Sequence, residues 1–426
     1  MKVENEKFII QGLEGQRAFE GKIPVRGAKN AVLKTFAASL LFGNEIRVDN
    51  VPFIQDIANM NELLRHLGVG VERIEEKSFV LNSPDAIGTD LCGDIAKSFR
   101  SSIVLTGPIL AREGKVIFPH PGGCVIGERP IDIFLESFKK MGADIDMHDR
   151  QYVISADKLA GAEIVFKIPS VTATETLMMT ATLVPGKTIL HNVACEPEIV
   201  ALADFLNTGG ADISGAGSHT IVIKGRDSLL KSKEPYQTPP DRIEAGSFAI
   251  LAAVCGKDIE ITDCKPDHLR VFLRTFDNAG VNFETTENSI RIKMSPQLNA
   301  INVKTHEYPG IPTDLQSPLA VFLTQASGRS LIFETVFESR LDYLSELSRM
   351  GADVMICDPH RAFITGVTPL RGREIESPDL RAGLAFIIAA LVAKGESIVH
   401  NIHNIDRGYE NIEERLQMVG ADIKRI

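Results

Sequence analysis

Apolar residues in this chain fall at helical spacing six times over, and each such stretch ends in a glycine that opens a strand-like run. The junctions read LGVGV, MGADI, GGADI, AGVNF, MGADV and VGADI, around Gly68, Gly142, Gly210, Gly280, Gly351 and Gly420. Successive glycines lie 74, 68, 70, 71 and 69 residues apart. Four positions before them stand Leu64, Phe138, Leu206, Phe276, Leu347 and Leu416; eight before stand Met60, Phe134, Leu202, Phe272, Tyr343 and Ile412. Apolar residues at i, i+4 and i+8 share one helix face, and glycine after such a helix is the usual left-handed cap. The pattern predicts one supersecondary unit used six times.

A second set, Gly43, Gly114, Gly186, Gly256, Gly328 and Gly395, precedes the first by 23 to 28 residues. Each follows a greasier run, such as AGLAFIIAALVAKG. A helix apolar on most faces is buried on most faces. Each unit should therefore hold one buried helix, one amphipathic helix and strands between them. A repeat of this length exceeds the solenoid range of roughly 20–50 residues, so closed domains are expected. The six divide three and three at KEPYQTPPDRIEAG, where Pro235, Pro239 and Pro240 suit a linker.

Composition narrows the function classes. The 426 residues suggest two or three domains. No uncharged apolar stretch reaches membrane-spanning length, and the start, MKVENEKFIIQG, has no export signal pattern. None of the six cysteines forms C-x-x-C or a zinc-like spacing with histidine. A reducing, cytoplasmic location is expected. The net charge of −10 weighs against nucleic-acid and membrane partners, and an anionic substrate would need a local basic pocket. A Walker A loop is absent: PGKT ends at Thr188, but Ala181 stands where the first glycine belongs. There is no G-x-G-x-x-G between strand and helix and no H-E-x-x-H.

In a repeat protein, chemistry is sought where one unit differs from the rest. RGAKNA carries Lys29 and Asn30, KSFRSS carries Arg100, and PGGCVIGERPID carries Cys124, Arg129 and Asp132. A late set follows: PTDLQS with Asp314, VFESR with Val336, Glu338 and Arg340, PDLRAG with Asp379 and Arg381, and IDRGYE with Arg407. Arg381 opens a greasy helix, where a cation opposes the macrodipole at a cost of roughly 0.3–1 kcal/mol; a bound anion would offset that. The plainer alternative is that each arginine pairs with a neighbouring acid. Cys124 sits among glycines near Arg129, in a mobile loop with a cation that would lower its pKa. The other cysteines, in helix- or strand-like segments, are expected to be buried structural thiols.

These residues, in this order, resemble the UDP-N-acetylglucosamine enolpyruvyl transferase (1-carboxyvinyltransferase) family, which opens bacterial peptidoglycan synthesis. GAKNA, PGGC-x-IG-x-RP, EPEIV, PDRIE-x-G, PTD-x-Q, ETVFE-x-R, ELSRMGA, DLRA and IDRGYE are all family signatures, and they span the chain. The resemblance implies an α/β, inside-out barrel fold of two domains, each of three βαβαββ units with helices packed inside. The first domain would run over 29–238 and carry the mobile cysteine loop. The second would combine 1–28 with 239–426, and the active site would lie in the cleft between them.

The resemblance also implies roles. Lys29, Arg129 and Arg407 would face the phosphate of phosphoenolpyruvate, and Arg340 and Arg381 its carboxylate. Arg100 would line the nucleotide-sugar side, and Lys29 and Asn30 would reach both substrates. Pro130, Ile131, Asp132, Ile133, Ser170, Val171 and Val336 would complete the substrate contacts. Cys124 would be the acid that protonates C3, Asp314 the base, and Asp379 an aid to proton transfer. The scheme requires neither metal nor organic cofactor, and its partners are the two small-molecule substrates; the oligomeric state stays open. The chain departs from the family pattern at Thr172 (usually glycine), Pro318 (glutamine), Phe134 (histidine) and Ala201 (aspartate). Two alternatives remain open: a different nucleotide acceptor, and a catalytically silent nucleotide-sugar-binding paralogue.

Overall fold

A computed structural model describes residues 6–91, 93–120 and 131–426. Cys92, expected above to be a buried thiol, and Cys124, Arg129 and Pro130 lie outside the described residues. The described chain divides into two compact units. The terminal unit takes the chain up to Arg26 and again from Pro240 to Ile426; the middle unit runs from Gly27 to Pro239.

Among the described residues each unit holds three small sheets. In the middle unit, Glu163–Val165 pairs in parallel with Gly186–His191, which pairs antiparallel with Thr220–Gly225, and that strand carries Asp212–Ser214 at its far edge. The terminal unit repeats this order with Phe19–Pro24, Gly256–Thr262, Ile290–Lys293 and Asn282–Thr285, and again with Val303–Lys304, Gly328–Phe333, Arg361–Gly366 and Asp353–Asp358. Two sheets are closed by distant chain. Phe8–Gln11 lies between Glu396–His400 and Ile423–Arg425, so the start of the chain completes the last repeat. Tyr236–Gln237 pairs with Ile46–Asp49 and completes the first.

The greasy runs form the helices Lys29–Ala38, Thr106–Glu113, Val171–Thr182, Arg242–Cys255, Gln316–Thr324 and Leu380–Val392. Every residue of Arg242–Cys255 is buried, as is Leu380–Val392 beyond its first residue. These helices pack on one another at the centre of each unit, giving two separate apolar cores. The amphipathic runs form Gln55–His66, Asp132–Lys140, Pro197–Thr208, Arg270–Asn278, Leu344–Arg349 and Ile412–Gln417. All six glycines that follow them have positive φ, between 76° and 106°, where a Cβ would be strained. The second set is mixed. Gly256 has a negative φ, and glycine is needed there because a Cβ would meet the Ala252 carbonyl oxygen at 2.5 Å.

The two chain crossings are paired. Ala28 N–H donates to the Pro239 carbonyl at 2.8 Å, and Asp241 N–H donates to the Arg26 carbonyl at 2.9 Å. A Cβ on Gly27 would lie 1.7 Å from the Asn50 carbonyl oxygen, so no side chain fits there. That close approach fixes the entry to the helix that begins at Lys29.

Candidate active site

The candidate residues fall into two groups, one on each unit. In the middle unit Lys29 opens its helix, and its Nζ stands 2.6 Å from Asp56 Oδ2. The two are 9% and 1% exposed, and charges so buried persist when paired. Asp56 lies in the first turn of Gln55–His66, where the helix dipole favours an anion. Asn30 and Arg100 are half-buried, Arg100 at the head of the 3-10 run Arg100–Leu105. Ser170 caps Val171–Thr182, its Oγ accepting from Ala173 N–H at 3.3 Å. Ile131 is buried, while Asp132 and Ile133 begin the next amphipathic helix.

A second buried pair joins the Lys29–Ala38 helix to Val171–Thr182. Lys34 Nζ is 3.1 Å from Glu175 Oε2, and both side chains are out of solvent. Burial is the main force pushing the Glu175 carboxyl up to about 7; Lys34 pulls it down, and Glu198 and Glu196 push it further up.

In the terminal unit three sequence-distant motifs converge. Arg340 Nη2 donates to Asp314 Oδ1 at 3.1 Å, and Arg381 Nη2 donates to Asp314 Oδ2 at 3.0 Å. Both arginines are nearly fully buried. Arg381 Nη1 donates to Tyr409 Oη at 3.0 Å, and Tyr409 Oη lies 3.4 Å from Ser247 Oγ. Burial alone would pull the Arg381 guanidinium down, but Asp314, Tyr409 and Asp241 hold it above its ordinary value. Burial raises the Tyr409 phenol in turn. The anion that offsets a cation at this helix start is thus Asp314, together with the cap: Asp379 Oδ1 accepts from the backbone N–H of Arg381 and Ala382 at 2.7 and 3.1 Å. Arg407 is half-buried, directly after the short helix His403–Asp406. Val336 is exposed.

Sequence reasoning missed Asp56, the Lys34–Glu175 pair, Tyr409 and Glu334. Glu334 is fully buried. One oxygen accepts from Val336 and Phe337 N–H at 2.8 and 3.3 Å, and the other from Thr313 Oγ1 at 2.9 Å. It ties the Val336 segment to the turn that carries Asp314. Tyr409 and Glu334 both lie inside quoted signatures, IDRGYE and ETVFE.

The EPSP synthase (3-phosphoshikimate 1-carboxyvinyltransferase) family model matches residues 13–416. The UDP-N-acetylglucosamine 1-carboxyvinyltransferase of Campylobacter hominis is 43% identical, over 97% of this chain and 98% of its own. The chain belongs to the 1-carboxyvinyltransferase family. The protein of the same name from Halothermothrix orenii is 42% identical over 99% of both chains. Among solved structures, the enolpyruvyl transferase NikO from Streptomyces tendae superposes with a TM-score of 0.89 at 22% identity, over 99% of each chain. An EPSP synthase from Acinetobacter baumannii gives 0.74 at 19% identity, over 99% of this chain and 100% of the other. These two likenesses establish the fold: a two-domain α/β carboxyvinyltransferase architecture.

Two expectations for this carboxyvinyltransferase need correction. Cys357 is exposed, on the sheet-edge strand Asp353–Asp358, and is no buried thiol. Cys195 and Cys264 are buried but lie in loops beyond strand ends. Burial holds the Cys255 and Cys264 thiols up at about 12 and about 11, so they are poor nucleophiles. The four departures from the family pattern sit in well-formed surroundings. Phe134 is core; Pro318 is buried in the first turn of Gln316–Thr324, where a missing N–H costs little. Thr172 is in the first turn after the Ser170 cap, and the Ala201 carbonyl accepts from Tyr236 Oη at 3.4 Å. Among the described residues no cluster of histidine, cysteine or acids could hold a metal, and no helix is long and apolar enough to cross a membrane.

Proposed function

We propose that this carboxyvinyltransferase moves the enolpyruvyl group of phosphoenolpyruvate to the 3-hydroxyl of UDP-N-acetylglucosamine and releases phosphate. Identity with curated relatives of that name along nearly the whole chain carries the proposal. The arginine pair on Asp314 supports it, because guanidinium forks match a planar carboxylate.

Arg340 and Arg381 take the phosphoenolpyruvate carboxylate; Lys29, Arg129 and Arg407 take its phosphate. Arg100, Asn30, Ser170, Val171, Val336 and the segment from Pro130 to Ile133 hold the nucleotide sugar. Asp314 accepts the proton of the attacking hydroxyl while its oxygen bonds to C2, and Cys124 delivers a proton to C3. The tetrahedral ketal then expels phosphate as C3 gives back a proton, which restores the double bond. The arginines stabilise the charge on the ketal and on the departing phosphate. Asp379, whose Oδ1 caps the Arg381 helix, places that arginine and assists the proton transfers.

Phosphate release from phosphoenolpyruvate across a panel of acceptors tests this. UDP-N-acetylglucosamine should support turnover and shikimate 3-phosphate should not; the reverse would overturn the proposal. A second reading, a different nucleotide acceptor, is favoured by Thr172 beside the Ser170 cap, and the same panel would reveal it.

A further inference from the structure

We propose that Arg425 is a positioning residue that clamps the segment carrying Arg407 and Tyr409; the inference rests on the phosphoenolpyruvate reading above. Arg425 stands on the last strand, Ile423–Arg425, which pairs with Phe8–Ile10. Its Nη1 and Nη2 donate to Asp406 Oδ2 and Oδ1 at 2.9 and 2.7 Å. Its Nε and Nη2 donate to Glu413 Oε1 and Oε2 at 2.6 and 3.3 Å. Nη1 also reaches Glu6 Oε2 at 2.8 Å, and the guanidinium lies over the Phe8 ring, 5.0 Å from its centre.

Placement gives these bonds their meaning. Asp406 immediately precedes Arg407, and Glu413 lies four residues after Tyr409. One planar cation therefore grips both ends of the stretch between the helices His403–Asp406 and Ile412–Gln417. Within it, Arg407 is assigned to the phosphate, and Tyr409 bonds the buried Arg381. The stretch turns sharply: Asn411 has φ 42°, in the left-handed region that asparagine adopts more readily than most residues with a side chain. Two bidentate charge-assisted pairs on one guanidinium are far stronger than isolated surface ion pairs. They also take up both oxygens of Asp406, the carboxylate next in sequence to the phosphate-binding arginine. A residue that only stitched the last strand to the fold would not need to hold both ends of this stretch.

The test uses the full chain as wild type, Arg425→Ala, Arg425→Lys and Glu6→Gln. Arg425→Ala should raise KM for phosphoenolpyruvate about tenfold and leave KM for UDP-N-acetylglucosamine within about twofold of wild type. Arg425→Lys should recover only part, because lysine supplies the charge without the fork. Glu6→Gln, which removes only the N-terminal contact, should leave both KM values unchanged. Amide exchange supplies a readout independent of activity: Arg425→Ala should speed exchange at Arg407, Gly408 and Tyr409, and Glu6→Gln should not. Unchanged exchange there, or both KM values rising together, would overturn the clamp. A wild type that releases no phosphate would overturn the phosphoenolpyruvate reading instead, and the exchange data would still decide the clamp.

Discussion

In the terminal unit one carboxylate serves two guanidinium groups, since Asp314 accepts from both Arg340 and Arg381. In the middle unit each buried lysine faces its own carboxylate, Lys29 with Asp56 and Lys34 with Glu175. Arginine offers five donors in a rigid fork and stays charged when buried; lysine offers a compact charge on a flexible stem. The arginine group is suited to take a planar anion directly. The lysine pairs join helices: Lys29 ties its helix to Gln55–His66, and Lys34 ties the same helix to Val171–Thr182, whose cap is Ser170. In the proposed function the terminal unit's arginine pair takes the phosphoenolpyruvate carboxylate, while the middle unit's buried ion pairs hold in place the helices that open at Lys29 and Val171.

The largest expected effect leaves both groups intact. Cys124→Ala should cost more than about a hundredfold in turnover, the scale of a lost general acid, while Cys124→Asp should retain activity because a carboxylic acid still donates a proton. A phosphonate epoxide should alkylate Cys124, faster with nucleotide sugar present, and peptide mapping should show exposed Cys357 as the only competing thiol among Cys195, Cys255, Cys264 and Cys357. Next comes Arg381→Ala, which removes the bonds to Asp314 and Tyr409. At about 1.5–3 kcal/mol for each charged hydrogen bond, kcat/KM should fall more than about a hundredfold.

The middle unit should answer in stability. Lys34→Ala leaves Glu175 buried beside Glu196 and Glu198, and at pH 8 should cost about 3–5 kcal/mol of unfolding free energy. The wild-type pH dependence has a definite sign. The Glu175 carboxyl stands at about 7 when folded, above its ordinary 4.5. Between those values the folded state holds a proton that the unfolded state has lost, so stability falls as pH rises through that window and levels off above about 7. The span corresponds to about 3 kcal/mol. Denaturant midpoints from pH 4.5 to 8 check it, and Glu175→Gln should flatten that part of the profile.

What was legible in the sequence, and what was not, divides along the same physical line. Periodicity marks which helix face is buried, so the repeat and its capping glycines, including Gly68 and Gly420, could be placed from the sequence. The macrodipole conflict at Arg381 pointed to a bound anion, whereas the structure gives that arginine the plainer partner, the Asp314 carboxylate. Periodicity does not say which two helices become neighbours. Lys34 and Glu175 therefore looked like ordinary charged residues of greasy runs until packing brought them together. Glu334 was hidden for a similar reason: its partners are the N–H groups of Val336 and Phe337, visible only once the chain turns. Cys357 misled because the strand-like pattern of its segment cannot distinguish an edge strand from a central one, and Asp353–Asp358 is an edge.

The division of labour is tested most directly by a crossed kinetic comparison. KM for phosphoenolpyruvate and for UDP-N-acetylglucosamine should be measured for Arg340→Lys in the terminal unit and Arg100→Ala in the middle unit. Arg340→Lys should raise the first about tenfold or more with the second nearly unchanged, and Arg100→Ala should do the opposite. Both constants moving together in both variants, or the pattern reversed, would contradict the account.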